Sequence, residues 1–202
     1  MTTLYLIRHG HYSSPSPVVP YRLPGFHLSE KGIAQTTLLA AMLEHDPIAA
    51  VFTSPMERTR ETADILAKSH SLTPIVDERL TEVRSPAQGK EKEFIDAMGG
   101  WSMYDTPWYK TARGETLHEV FSRVQAAVEE ACHTYEDASI IMVSHGDPVM
   151  LMAAHYMGIP PTPAALVVLP YLPMGGGYRV EFTLHAEPKI YPLSSKSYCT
   201  TL

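Results

Sequence analysis

Two histidines and two arginines are spaced along this chain in a pattern that suits a phosphoryl group. Arg8-His9-Gly10 follows the apolar run Leu4-Tyr5-Leu6-Ile7, Arg58 ends Thr53-Ser54-Pro55-Met56-Glu57-Arg58, and Ser144-His145-Gly146 follows Ile140-Ile141-Met142-Val143. A phosphomonoester is a dianion, and displacing its alcohol needs charge neutralisation, a positioned nucleophile and a proton for a poor alkoxide leaving group. Arg8 and Arg58 can each fork onto phosphate oxygens. Their positive charge disfavours protonation of His9 and keeps its ring neutral, the form whose lone pair can attack phosphorus. Taken alone, an Arg-His-Gly tripeptide reads more simply as a strand cap beside a surface ion pair, and a lone His145 as a core histidine satisfied by backbone.

What favours the chemistry is where the elements put these residues. Continuous Val/Ile/Leu runs read as buried parallel strands, and ligands of open α/β sheets bind just beyond the carboxyl ends of such strands. Residues 11–28, with Pro15, Pro17, Pro20, Pro24 and Gly25, read as a loop bordering the site. Ser29 caps a helix to about Glu44, and Ser54-Pro55-Met56-Glu57 reads as a capping box with proline at the first helical position, so Arg58 falls in a first turn where the dipole also favours an anion. Residues 83–112 read as an irregular, aromatic-rich cap over the pocket, in which Trp101 and Trp108 are taken as packing. From Glu115, the spacing of Leu117, Val120, Phe121, Val124, Val128 and Ala131 predicts an amphipathic helix packed on the sheet. Asp147-Pro148 opens another that stops at Gly158, and 165–169 and 178–182 read as late strands. The tail from His185 has no readable pattern.

These segments, in this order, resemble the histidine phosphatase superfamily, also called phosphoglycerate mutase-like, over roughly residues 4–157. The resemblance also rests on Leu28-Ser29-Glu30-Lys31-Gly32, Arg58-Thr59-Arg60-Glu61-Thr62-Ala63, Leu80-Thr81-Glu82 and Gly114-Glu115-Thr116. It implies a three-layer α/β/α sandwich with a mostly parallel central sheet. It further implies that His9 becomes a transient phosphohistidine, that Arg8, Arg58 and His145, with Gly146 beside it, hold the phosphoryl oxygens, and that Glu82 protonates the leaving group. Water then releases phosphate from His9.

Some positions depart from the family's pattern. Glu82 continues into Val83-Arg84-Ser85-Pro86, unlike the usual continuation; Asp77 and Glu78 are the nearest other carboxylates and read as solvated or turn-capping, while Glu115 reads as structural. Pro15 stands where many members carry an asparagine, so Ser14, Ser16 or a backbone amide has to replace that contact. Arg22, Arg84, Lys90, Lys110 and Arg113 lie in or beside the two excursions; surface solvation is the default for each, and Arg22 and Arg84 are the candidates for further substrate contacts.

Composition narrows the partners. The 202 residues, 45% of them hydrophobic, suit one domain over 1–202, and a net charge of −6 argues against a general nucleic-acid or anionic-membrane surface. A small phosphorylated substrate is the implied partner; a homodimer through a cap edge is possible in principle, with no interface legible. Cys132 and Cys199 show no metal or redox spacing, the remaining histidines show no zinc pattern, and no cofactor is called for. No segment approaches a membrane span, which reads as a cytoplasmic protein. A metal-independent phosphatase is the leading function. A cofactor-dependent phosphoglycerate mutase is the alternative, disfavoured because the excursion after Glu82 is shorter than the resemblance implies for a mutase lid. A catalytically inactive phosphate-binding protein is a more distant third.

Overall fold

The computed structural model describes residues 1–183 and 186–193; His185 and Cys199 lie outside the described residues. The apolar runs form β1 (Thr2–Arg8), β2 (Ile48–Thr53), β3 (Ile75–Val76) and β4 (Ser139–Ser144), followed by β5 (Gly177–Phe182) and β6 (Lys189–Pro192). The sheet runs β3-β2-β4-β1-β5-β6. Its first four strands are mutually parallel, and β5 and β6 add an antiparallel edge.

Strand alternation divides the core into two layers. Tyr5, Ile7, Val51, Ile141 and Val143 pack with Leu39, Leu43, Ala63 and Leu66 of α1 (Glu30–Leu43) and α2 (Glu57–Lys68). Leu4, Leu6, Ala50, Ile140 and Met142 face the other way, onto Val120, Val124 and Val128 of α5 (Leu117–Thr134) and onto α6 (Gly146–His155). This is the expected α/β/α sandwich. Ser29 caps α1 by accepting from the Gly32 amide, and Thr116 and Glu119 form a reciprocal capping box on α5. α6 is buried from Gly146 through Ala154, so it needs no polar face.

The cap over 83–112 is built from α3 (Lys92–Ala97), a 3-10 turn at Gly100–Asp105 and α4 (Pro107–Thr111). Thr106 caps α4, with Pro107 in its first turn. Phe94, Trp108, Tyr109 and Tyr104 meet edge to face and join the cap to the core layer shared with α5 and α6. Trp108 therefore packs as expected.

Two sequence expectations are corrected, and one stretch left unread holds a strand. Residues 165–169 are not a strand: Pro163 opens a 3-10 turn through Leu166, Ala165 and Leu166 bury against α6, and Val167 and Val168 stand exposed. An apolar run specifies burial, not extended backbone, when no neighbouring strand is free to pair with it. Ser54 is not the cap of α2; the N-cap is Met56, without a side-chain cap, and Pro55 precedes the helix. The tail, without a readable pattern, nevertheless holds β6, which pairs with β5. Among the described residues no helix is long and apolar enough to cross a membrane.

Candidate active site

Parallel pairing of β1 with β4 sets Arg8 opposite Ser144, so His9 and His145 leave adjacent central strands side by side, with ring centroids 5.3 Å apart. The His9 amide still bonds to the Ser144 carbonyl at 3.0 Å, which fixes the backbone of the turn. A cavity of about 510 Å³ opens over these strand ends, and Arg8, His9, Arg58 and Glu82 share its wall.

His9 is 3% exposed. The Nε–H of Arg58 points at His9 Nε2 from 3.2 Å, so that nitrogen carries the lone pair, and Nδ1–H donates to the Gly10 carbonyl at 2.8 Å. Burial first, then the Arg58 and Arg8 guanidiniums, holds the ring's pKa well below the usual histidine range. The imidazole is thus neutral, in the tautomer that presents Nε2.

Arg58 is 1% exposed and also donates through Nη2 to the Tyr21 carbonyl at 2.7 Å and to His145 Nδ1 at 3.1 Å. Arg8 Nη1 donates to the Leu172 carbonyl at 2.5 Å, with its guanidinium over the Tyr171 ring. Arg58 Nη1 and Arg8 Nε are buried without a hydrogen-bond partner. Neither guanidinium has a carboxylate within ion-pair distance among the described residues. A buried Arg58 and a half-buried Arg8 left in this state suit an anion.

His145 is completely buried and stands behind Arg58, outside the cavity wall. Because Arg58 donates to its Nδ1, its Nε2–H donates to Ser54 Oγ at 2.8 Å. Ser54, read as a helix cap, is instead the group that orients His145. Burial and then Arg58 hold the His145 pKa well below the ordinary range.

Glu82 accepts from the Val83 amide at 2.9 Å through Oε1, and its carbonyl accepts from Arg22 and Arg123. Burial, followed by the negative charge of Asp147, pushes its pKa up to about 7. A carboxyl near that value is protonated over part of the neutral range and able to act as an acid.

Other expected residues lie elsewhere. Ser14 is exposed and bonds to the Ser16 carbonyl, so neither serine replaces the family asparagine; Tyr12 occupies this side of the wall, against His9 and Arg58. Arg22 is held by Glu115 at 2.8 Å and by the Glu82 carbonyl, and Arg84 is exposed, so neither reaches the cavity wall. Gly146 is buried beneath Tyr171, whose hydroxyl oxygen would lie 2.1 Å from an added Cβ; its smallness serves that contact. Glu115, which binds Arg22, Arg123 and the Arg84 amide, is structural as read. Asp77 caps a 3-10 turn and pairs with Arg79. Lys90, Lys110 and Arg113 are exposed. Several wall residues escaped the sequence reading, two of which bear on what the cavity admits. Trp101, taken as packing, faces the cavity beside Tyr171, and Asp147, read as a helix start, is a further carboxylate in the wall besides Glu82 and Asp96. Its place two residues after His145 was the available signal. Among the described residues no group of three or more His, Cys, Asp or Glu side chains is placed to hold a metal ion.

The fold and this cavity define an α/β protein that presents two guanidiniums and a neutral histidine at the carboxyl edge of its sheet. The chain belongs to the histidine phosphatase superfamily (branch 1), whose family model matches residues 4–172. It is 28% identical to a probable phosphoglycerate mutase GpmB of Photorhabdus laumondii over 167 residues, 79% of this chain and 77% of that one. It is 27% identical to phosphoserine phosphatase 1 of Hydrogenobacter thermophilus over 166 residues, 79% and 78% of the two chains. The solved structure of Bacillus stearothermophilus YhfR superposes with a TM-score of 0.80 at 26% identity, covering 96% of each chain.

Proposed function

We propose that this protein is a metal-independent phosphomonoesterase that works through a phosphohistidine on His9. The observation that carries the reading is a buried Arg58 and a half-buried Arg8, both without a carboxylate in ion-pair distance and each with a buried N–H lacking a partner, beside a neutral imidazole. A phosphoryl group entering the cavity takes the N–H groups of Arg8 and Arg58 that lack partners. Arg58 Nε–H then turns from His9 Nε2 onto a phosphoryl oxygen, which frees the lone pair for attack.

The Nε2–P bond forms as the P–O bond to the alcohol breaks, and protonated Glu82 gives its proton to the departing oxygen. Glu82, now a carboxylate, takes a proton from water as that water attacks phosphorus. The P–N bond breaks, phosphate leaves and His9 returns to its neutral form. His145 contributes by fixing Arg58. Two guanidiniums supply the positive charge that the transition state requires.

A mutase reading retains one favouring observation, the similarity to a probable phosphoglycerate mutase. Hydrolysis of an aryl phosphate with chelator present, for the native protein and His9→Ala, tests the proposal. Turnover that survives chelation and disappears in His9→Ala supports it. Turnover indifferent to His9→Ala, or conversion of phosphoglycerate dependent on a bisphosphate primer, overturns it.

A further inference from the structure

Asp147 lies in the first turn of α6, 5% exposed, at the cavity wall. Both of its oxygens are engaged: Oδ1 accepts the Tyr171 hydroxyl at 2.6 Å, and Oδ2 accepts the Tyr104 hydroxyl. Two tyrosine hydroxyls thus hold the carboxyl group, one at each oxygen. Tyr104 comes from the cap and Tyr171 from the loop before β5, so the charge is anchored from two sides and cannot swing out to solvent. No cationic side chain lies within ion-pair distance of it among the described residues.

Charge in the rest of the cavity is already committed. The phosphoryl group uses Arg8 and Arg58, and Lys92 at the rim is paired with Asp96 one helical turn away. The remaining wall is largely apolar: Val19 and Ile95, Met103 and Met174, and Trp101, whose ring meets Tyr171 at a centroid distance of 4.8 Å. A flat or apolar alcohol finds contact area there. An alcohol bearing its own carboxylate meets Asp147 with no spare cation to offset the repulsion.

We propose that Asp147 is a fixed negative charge that selects the leaving group, admitting phosphomonoesters of uncharged, aromatic or otherwise apolar alcohols and rejecting those whose alcohol carries a carboxylate. This rests on the phosphatase reading above and names its substrate class.

Benzyl phosphate and 4-carboxybenzyl phosphate provide the test, since both release an alkoxide of similar basicity and differ by one remote carboxylate. The expected result is a kcat/KM preference for benzyl phosphate of about tenfold or more, falling to about threefold or less in Asp147→Asn, which keeps the size of the side chain, with Oδ1 to accept from one tyrosine hydroxyl and Nδ2 to donate to the other. Equal or reversed preference in the native enzyme overturns the proposal, as does a preference that Asp147→Asn leaves unchanged. If Asp147→Asn does not fold, inhibition of the native enzyme by benzylphosphonate and 4-carboxybenzylphosphonate decides: tighter binding of the uncharged compound supports the proposal, and equal binding overturns it. Hydrolysis of neither ester, nor of any aryl phosphate, brings down the phosphatase reading and this inference with it, whereas hydrolysis of both at equal rates brings down this inference alone.

Discussion

The floor of the cavity and its cap are built by opposite means. On the floor, Arg8, His9, Arg58 and His145 project from strand ends and one helix start, and each is fixed by backbone carbonyls or by the others at 2.5–3.2 Å. The cap holds its shape through short helices and edge-to-face aromatic contacts, and it reaches the floor through Tyr104 and Asp147. Parallel strands buried on both faces cannot shift register without exposing a core, so the floor is a rigid support for charge. Two short cap helices and a 3-10 turn carry less internal hydrogen bonding and have more freedom to vary in shape. The difference is one of support: the floor holds its charged groups, Asp147 of α6 among them, on buried strand ends and helix starts, while the cap adds the apolar wall and the Tyr104 hydroxyl that holds Asp147.

The strongest way to break this division is His9→Ala, expected to cost about ten-thousand-fold or more in kcat, measured on an aryl phosphate, because a nucleophile has no substitute among its neighbours. Next comes Glu82→Gln. It is expected to lower turnover of an alkyl phosphate by about a hundredfold or more while leaving a nitrophenyl ester, whose leaving group needs little protonation, nearly unchanged. Equal losses on both esters would show Glu82 to be structural.

Asp147→Asn sharpens the comparison through pH. Glu82 must be protonated to act as the acid, so activity on an alkyl ester falls as pH rises through its pKa of about 7. Removing the Asp147 charge lets Glu82 ionise more readily, so the fall moves to lower pH. A pH profile of kcat/KM checks this, and an unmoved limb contradicts the coupling. The smallest effect is expected for Glu115→Ala, which leaves Arg22 and Arg123 without their carboxylate at a partly buried site. It is expected to cost about 2 kcal/mol, or roughly 4–8 °C in Tm, with modest loss of activity, as read by calorimetry beside the kinetic assay.

How much of this was legible depended on range. The runs 4–7, 50–52 and 140–143, and the apolar spacing from Leu117, announced the central strands and α5 because burial on a regular element writes a period into the sequence. Arg8, His9, Arg58 and Glu82 were read in their motifs and meet in one cavity. Ser14 was read as a stand-in for the family asparagine absent at Pro15, and Arg22 and Arg84 as contacts from charge and loop position, but a loop's path is not encoded by local pattern. Arg22 turned to Glu115, 93 residues away, rather than to the cavity.

By itself the sequence determined which strands are buried, which cations end them and which histidine stands beside them, since these follow from residue type and local spacing. Only the tertiary structure decided that His145 stands behind Arg58, that Ser54 orients it, and that Trp101 and Asp147 join the wall. The physical reason is that hydrogen bonds and charges act between side chains brought together by sheet register and loop closure, over separations such as the 87 residues between Arg58 and His145 that no local pattern records.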